Sequence, residues 1–322
     1  MSQSAVKLNV GMPVALLLAL MSIGLFVVVA LSTGETAQLS WQGATGLLQR
    51  MVALGLVALG QTFVILVGSI DLSVAALISA VAVLASHLMQ GDPAMIVPAV
   101  IACLGLCAIV GFVNGALVAY GGINPLIATL GTGLIIQGVL AASFGALQGT
   151  VAREFQILAY GGVLGIPYPL LLLASLSLAA AFVLDRTLFG ARIYAVGGNP
   201  DGARLAGIRT ERVTLSAHMV ASLFAGAGGL YLAARLQSGT PWIGRDGLYD
   251  LESIAVTVIG GTILAGGKGG VAGTLAGVLL FATLDASFNM LGIDAFLKQV
   301  LRGVIVIAAV AVHAVRAKGH VA

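Results

Sequence analysis

Few residues in this sequence carry side chains suited to acid–base, metal or nucleophilic chemistry, and their spacing argues against each chemistry in turn. The four histidines are His87, His218, His313 and His320, and no two stand at a metal-binding spacing. Cys103 and Cys107 lie one helical turn apart in an apolar run, which reads as two buried thiols rather than a redox or metal pair. Gly261 to Gly270 invites comparison with a phosphate-binding loop. That loop needs Gly, four residues, then Gly-Lys-Ser/Thr; here the spacing is off by one, and Gly269 stands where the magnesium-binding hydroxyl belongs. Asp71 and Asp285 are the carboxylates nearest the middle of apolar runs, where ion-coupled transporters keep theirs. Asp71 sits at a break, and its expected role is a helix N-cap accepting from the amides of Ser73 and Val74. Asp285 comes late in its run and is expected to reach water. The sequence therefore offers no catalytic residue, no metal site and no proton relay.

The elements that hold these residues follow from composition. Of 322 residues, 59% are hydrophobic and only 8% charged, and the mean hydropathy is +1.09. A soluble domain is about a quarter charged, and disorder needs the opposite bias. A net charge of +3 and 6% aromatic residues give no footprint for nucleic acid. Roughly 190 apolar residues, at about 20 per span, suffice for nine or ten crossings of a lipid bilayer. Ten runs are present: Pro13–Leu31, Gly46–Leu66, Leu72–Met89, Ala94–Tyr120, Pro125–Leu147, Pro167–Leu184, Val213–Arg235, Leu251–Leu264, Val271–Met290 and Phe296–Val315. The first has the flanks of a signal peptide but too long an apolar core, so it reads as a retained helix. The expected fold is an all-α polytopic membrane protein, one transmembrane unit over residues 1–322, with the 44 glycines letting helices approach closely.

With the N-terminus inside, nine basic residues fall on the inner side: Lys7, Arg186, Arg192, Arg204, Arg209, Arg212, Lys268, Arg316 and Lys318. Six fall outside: Arg50, Arg153, Arg235, Arg245, Lys298 and Arg302. That bias places both termini in the cytoplasm. Two apolar runs break at small residues and restart, one around Asp71 and Ser73, the other around Gly260 and Gly261. They read either as matching interrupted helices of an internal repeat, a frequent way to line a transport path, or as convergent Gly-rich helix ends. Uncharged polar residues inside the runs are path candidates for a hydroxyl-rich solute: Gln61, Asn114, Thr129, Thr132, Gln137 and Asn289. Interhelical hydrogen bonding is the competing role of each. The longest polar connection runs from Asp185 to Arg212. In it Gly197 and Gly198 permit a bend, Asn199 can cap a helix with Pro200 at its first position, and Asp201 suits the positive end of the dipole. Leu205 and Ile208 are expected to share one face of that short helix.

Four stretches resemble one family. Gly68-Ser69-Ile70-Asp71-Leu72-Ser73-Val74 is similar to the Gly-Gly-Ile-Asp-Leu-Ser-Val-Gly signature of bacterial ABC-importer permeases of the ribose/xylose/arabinose type. Asn124 to Thr132 resembles the family's Pro-Phe-Ile-x-Thr-Leu-Gly-Thr. Phe189 to Asn199 with Ala203 to Ile208 resembles its central cytoplasmic loop, and Ile259 to Thr262 with Gly266 to Gly269, Gly273 and Thr274 its C-terminal glycine motif. The likeness runs from about Gly46 to Arg316. Ser69, Ala75, Gly202 and the Ala286-Ser287 pair depart from the family pattern.

The resemblance implies a division of labour. This chain is the permease and no enzyme. A second permease, identical or different, completes the path. Separate ABC ATPase subunits, carrying the ATP and magnesium, drive it, and an extracytoplasmic binding protein delivers a monosaccharide. The chain then belongs in the bacterial inner membrane as a multi-pass protein, with no cofactor of its own. The resemblance makes Arg192, Tyr194, Gly197, Gly198, Asn199, Ala203, Arg204, Leu205 and Gly207 the coupling loop that meets the ATPase. A nucleoside or signalling-sugar importer is the alternative within the class; an ion-coupled transporter or a scaffolding subunit is the alternative outside it.

Overall fold

The computed structural model describes residues 11–145 and 149–318, with side chains omitted at 11–13, 306 and 308–318. Lys7, Leu147 and His320 lie outside the described residues, and so do the side chains of His313, Arg316 and Lys318. The chain is helical nearly throughout. Its helices are α1 Gly11–Ser32, α2 Trp41–Leu66, α3 Val74–Met89, α4 Ile96–Ala119, α5 Pro125–Ser143, α6 Ile157–Tyr160, α7 Tyr168–Arg186, α8 Leu188–Gly198, α9 Pro200–Leu205, α10 Thr210–Leu236, α11 Ile243–Asp246, α12 Tyr249–Ile259, α13 Val271–Met290 and α14 Ala295–Lys318. A two-residue hairpin pairs Val163 with Ile166 before α7.

Each of the ten apolar runs contains a helix, but not every one is a full span. Seven helices among the described residues are long and apolar enough to cross a membrane: α1, α2, α4, α5, α7, α10 and α13. The run Leu251–Leu264 does not form one continuous helix. Only α12, 11 residues long, is helical, about 16 Å of rise against a hydrocarbon core of about 30 Å. The cause is the glycine-rich stretch after Ile259, where Gly261, Gly266, Gly267 and Gly269 all take positive φ. The run Leu72–Met89 likewise begins its helix only at Val74.

α10 is the central helix, packed on α2, α3 and α4, while α1 lies along α13. Small residues set these distances. Gly111 and Gly115, four apart on α4, face α10 so closely that a Cβ at either would come within 2.7 Å of the Cα of Met219 or Leu215. Backbone therefore meets backbone across this pair, the membrane way of gaining packing without a hydrophobic drive. Cys103 and Cys107 on α4 are buried, and Cys103 Sγ donates to Val81 O of α3 at 3.6 Å. Between α10 and α12 the chain turns back along α3. Gly239 packs on Ala82 and Val83, Gly244 on Ala75, and Gly244 N donates to Ser79 Oγ at 3.0 Å.

Candidate functional site

The break between α2 and α3 collects the polar side chains of the bundle. Gly68, at φ +81°, turns the chain out of α2 where a side chain would be strained. Asp71 follows, fully buried. Its Oδ1 accepts from Ser73 N at 2.9 Å and Ser73 Oγ at 2.6 Å. The amide of Val74, the second expected partner, is not among its donors. Asp71 Oδ2 lies 3.4 Å from His218 Nδ1, and the far nitrogen of that ring, Nε2, is 2.9 Å from Ser69 Oγ. His218 comes from α10, is fully buried, and was invisible to spacing rules because its partners lie about 150 positions away.

Three of the six path candidates meet at this break. Gln61 Nε2 on α2 donates to Asp71 O at 3.1 Å. Asn114 Nδ2 on α4 donates to Ser73 Oγ at 2.8 Å. Thr129 Oγ1 on α5 accepts from Leu72 N at 3.0 Å. All three are fully buried, so here they hold broken backbone in place. Gln61 Oε1 and Asn114 Oδ1 have no protein partner. The other three lie elsewhere. Thr132 Oγ1 donates to Ala128 O of its own helix, Gln137 Nε2 to Pro241 O of the returning segment at 3.1 Å, and Asn289 binds Asp285 and Lys298 near the end of α13. Asp285 does not simply face water: it pairs with Arg50 and Arg302.

The segment 185–212 is mostly helix rather than loop. Gly197 and Gly198 make no bend; they are the last two residues of α8. The chain turns at Asn199, which ends α8 and caps α9, its Oδ1 accepting from Gly202 N at 2.9 Å with Pro200 at the first helical position. Gly207, at φ +80°, turns the chain from α9 towards α10. Arg204 ties the turn together through Asp201 at 3.6 Å, Glu211 at 3.2 Å and Thr210 Oγ1 at 3.0 Å. Leu205 and Ile208 do not share a face. Leu205 is 91% exposed, while Ile208 packs on the core, as Ala203 does. Arg192 is exposed on α8.

Gly197 of α8 serves contact. The C-terminal end of α8 lies directly on the end of α2 and on the loop 263–269. Gly267 N donates to Leu66 O at 2.9 Å, Tyr194 Oη donates to Gly269 O at 3.0 Å, and a Cβ on Gly266 would stand 2.8 Å from Gly68 N. Burial and the nearby Asp185 carboxylate push the Tyr194 phenol up to about 12, so it stays a donor at neutral pH. The two interrupted segments of the sequence are therefore in contact with each other and with α8. Gly260 caps the end of α12, where a Cβ would come 2.2 Å from Gly273 O of α13, and Gly261 turns at φ +95°.

This arrangement has relatives. The family described as the permease component of the branched-chain amino acid transport system matches residues 43–310. The chain belongs to that permease family. The ribose import permease RbsC of Bacillus subtilis is 35% identical, covering 89% of this chain and 90% of the relative. The xylose transport permease XylH of Escherichia coli K12 is 31% identical, covering 86% of both. The galactose/methyl galactoside import permease MglC of Haemophilus influenzae is 30% identical, covering 81% of this chain and 83% of the relative. No solved structure matches at comparable significance. The permease is thus a multi-pass membrane protein of the sugar ABC-importer class, and its matched region contains both the break at Asp71 and the α8–α9 segment.

Proposed function

We propose that this permease forms the path for a monosaccharide in a bacterial inner membrane, taking the solute from an extracytoplasmic binding protein and driven by separate ATPase subunits on the cytoplasmic side. The observation that carries the reading is the direct seat of α8 on the broken end of α2. A push on the exposed α9 has a short backbone route to the break held by Asp71, Ser73 and His218. Likeness to permeases whose names specify ribose, xylose and galactose supports the solute class. In this reading the chain crosses ten times with both termini inside, Leu205 meets the ATPase, the segments at Asp71–Ser73 and Gly260–Gly261 move during transport, and a second permease completes the path. ATP and magnesium belong to the ATPase. Of the uncharged path candidates, Gln61, Asn114 and Thr129 adjoin the moving segment at Asp71–Ser73, while Thr132, Gln137 and Asn289 would meet the solute elsewhere along the path.

The test is reconstitution of the permease with its ATPase and binding protein in vesicles. ATP-dependent uptake of a labelled pentose or hexose, insensitive to proton and sodium ionophores, is the expected result. Uptake that persists without the ATPase and collapses with an ionophore makes the chain an ion-coupled transporter instead.

A further inference from the structure

At the end of the bundle remote from α8 and α9, a half-open cavity of about 300 Å³ lies among α2, α10, α12, α13 and α14. Its wall on α2 reaches Leu54, twelve residues and so about 18 Å before the α8 contact at Leu66. None of the polar path candidates lines it; its charged residues are Arg50, Arg235, Glu252, Asp285 and Arg302. Arg302 pairs with Glu252 at 2.9 Å and Asp285 at 2.5 Å, and Arg50 takes the other Asp285 oxygen at 3.2 Å. Both carboxylates are thereby neutralised. Arg235 is left over. Its Nη1 donates to Tyr231 Oη at 2.8 Å, and it has no carboxylate partner among the described residues. Tyr249 also lines the cavity, and its hydroxyl has no hydrogen-bond partner among the described residues.

An unpaired guanidinium in a half-buried pocket favours an anion. Its planar fork suits a carboxylate, held by two parallel bonds. The remaining wall suits hydroxyls: a free phenol, and carboxylates that still have lone pairs to offer. The volume is at the small end of the about 300–1,000 Å³ typical of ligand pockets, enough for one sugar ring. Resting on the monosaccharide reading above, we propose that this cavity receives an acidic monosaccharide, an aldonate or uronate, with its carboxylate on Arg235 and a hydroxyl on Tyr249.

The test is equilibrium dialysis of the purified full-length permease against labelled D-gluconate, with D-glucose, acetate and inorganic phosphate as competitors. Saturable gluconate binding is expected, at one per chain, with glucose and acetate each at least about tenfold weaker, since each lacks half of the recognition. Arg235→Gln should weaken gluconate about tenfold or more. Tyr249→Phe removes only an unbonded hydroxyl, so it keeps the fold, and should weaken gluconate several-fold. Equal binding of glucose overturns the anionic assignment. Equal binding of acetate makes the cavity a seat for any carboxylate, including a partner protein's side chain, and overturns the sugar. Equal competition by phosphate makes it a general anion site and overturns the sugar acid. No saturable binding, or binding unchanged in both variants, overturns it outright. Coupled uptake of a neutral sugar alongside any of these failures would leave the importer reading intact.

Discussion

Gly197 on α8 lies so close to Leu66 at the end of α2 that a Cβ on it would stand 1.8 Å from the Leu66 carbonyl oxygen and 2.6 Å from Gly267 N. The neighbouring Gly198 would meet nothing within 4 Å. Gly197→Ala must therefore lift α8 off α2, whereas Gly198→Ala fits. Uptake and ATPase stimulation in reconstituted vesicles should collapse for Gly197→Ala. For Gly198→Ala they should stay within about twofold of the parent, as for substitutions into open space. Equal behaviour of the two would show that the contact transmits nothing.

Tyr194→Phe removes the bond to Gly269 O while keeping the ring. A lost hydrogen bond of this kind costs about 1 kcal/mol. The expected result is a modest drop in thermal stability with a larger drop in uptake per ATP hydrolysed, measured on the same vesicles.

Two substitutions at Asp71 should respond differently. Asp71→Asn keeps an oxygen to accept from Ser73 N and Oγ, and the imidazole can present Nδ1 as acceptor to the new amide while Nε2 donates to Ser69. Uptake should survive. Asp71→Leu leaves Ser73 N, Ser73 Oγ and His218 without their acceptor, with a cost of about 1–3 kcal/mol for each buried group left unsatisfied. Expression followed by size-exclusion chromatography should show loss of folded protein or of uptake. Full activity in Asp71→Leu would remove the break from the mechanism.

On α9, Asn199→Ala removes the cap on Gly202 N, worth about 1 kcal/mol of local helix stability, and Leu205→Ala changes a side chain that is 91% exposed among the described residues. Both variants should fold. Co-purification of the ATPase should fall in both, more steeply for Leu205→Ala. Ala203 is buried against its own chain, so Ala203→Trp tests folding and not docking.

The two ends of the bundle should label from opposite sides. Leu205→Cys, on the α9 tip, should react with an impermeant maleimide only from the cytoplasm. Leu164→Cys, 95% exposed in the hairpin whose Gly165 O accepts from Trp41 Nε1 at the start of α2, should react only from outside. Labelling of both from one side would overturn the topology.

The amino-acid sequence by itself determined that this is a helical membrane protein, where its apolar runs lie, and that Asn199-Pro200 starts a short helix. These depend on neighbours along the chain: bilayer thickness sets run length, and a cap needs only the next three residues. It also located the two interruptions, because a buried aspartate and a run of closely spaced glycines mark places where an apolar helix stops and restarts, which a lone glycine such as Gly111 does not. Only the tertiary structure decided what those interruptions touch. His218 joins Asp71 across about 150 positions, and Gly197 owes its identity to the Leu66 carbonyl rather than to any bend of its own. Gln61, Asn114 and Thr129 converge on one break while Thr132, Gln137 and Asn289 do not, and of the three arginines lining the cavity Arg235 alone has no carboxylate partner among the described residues. Each depends on which helix faces which, as α4 faces α10 at Gly111 and Gly115, a distance that no single segment encodes.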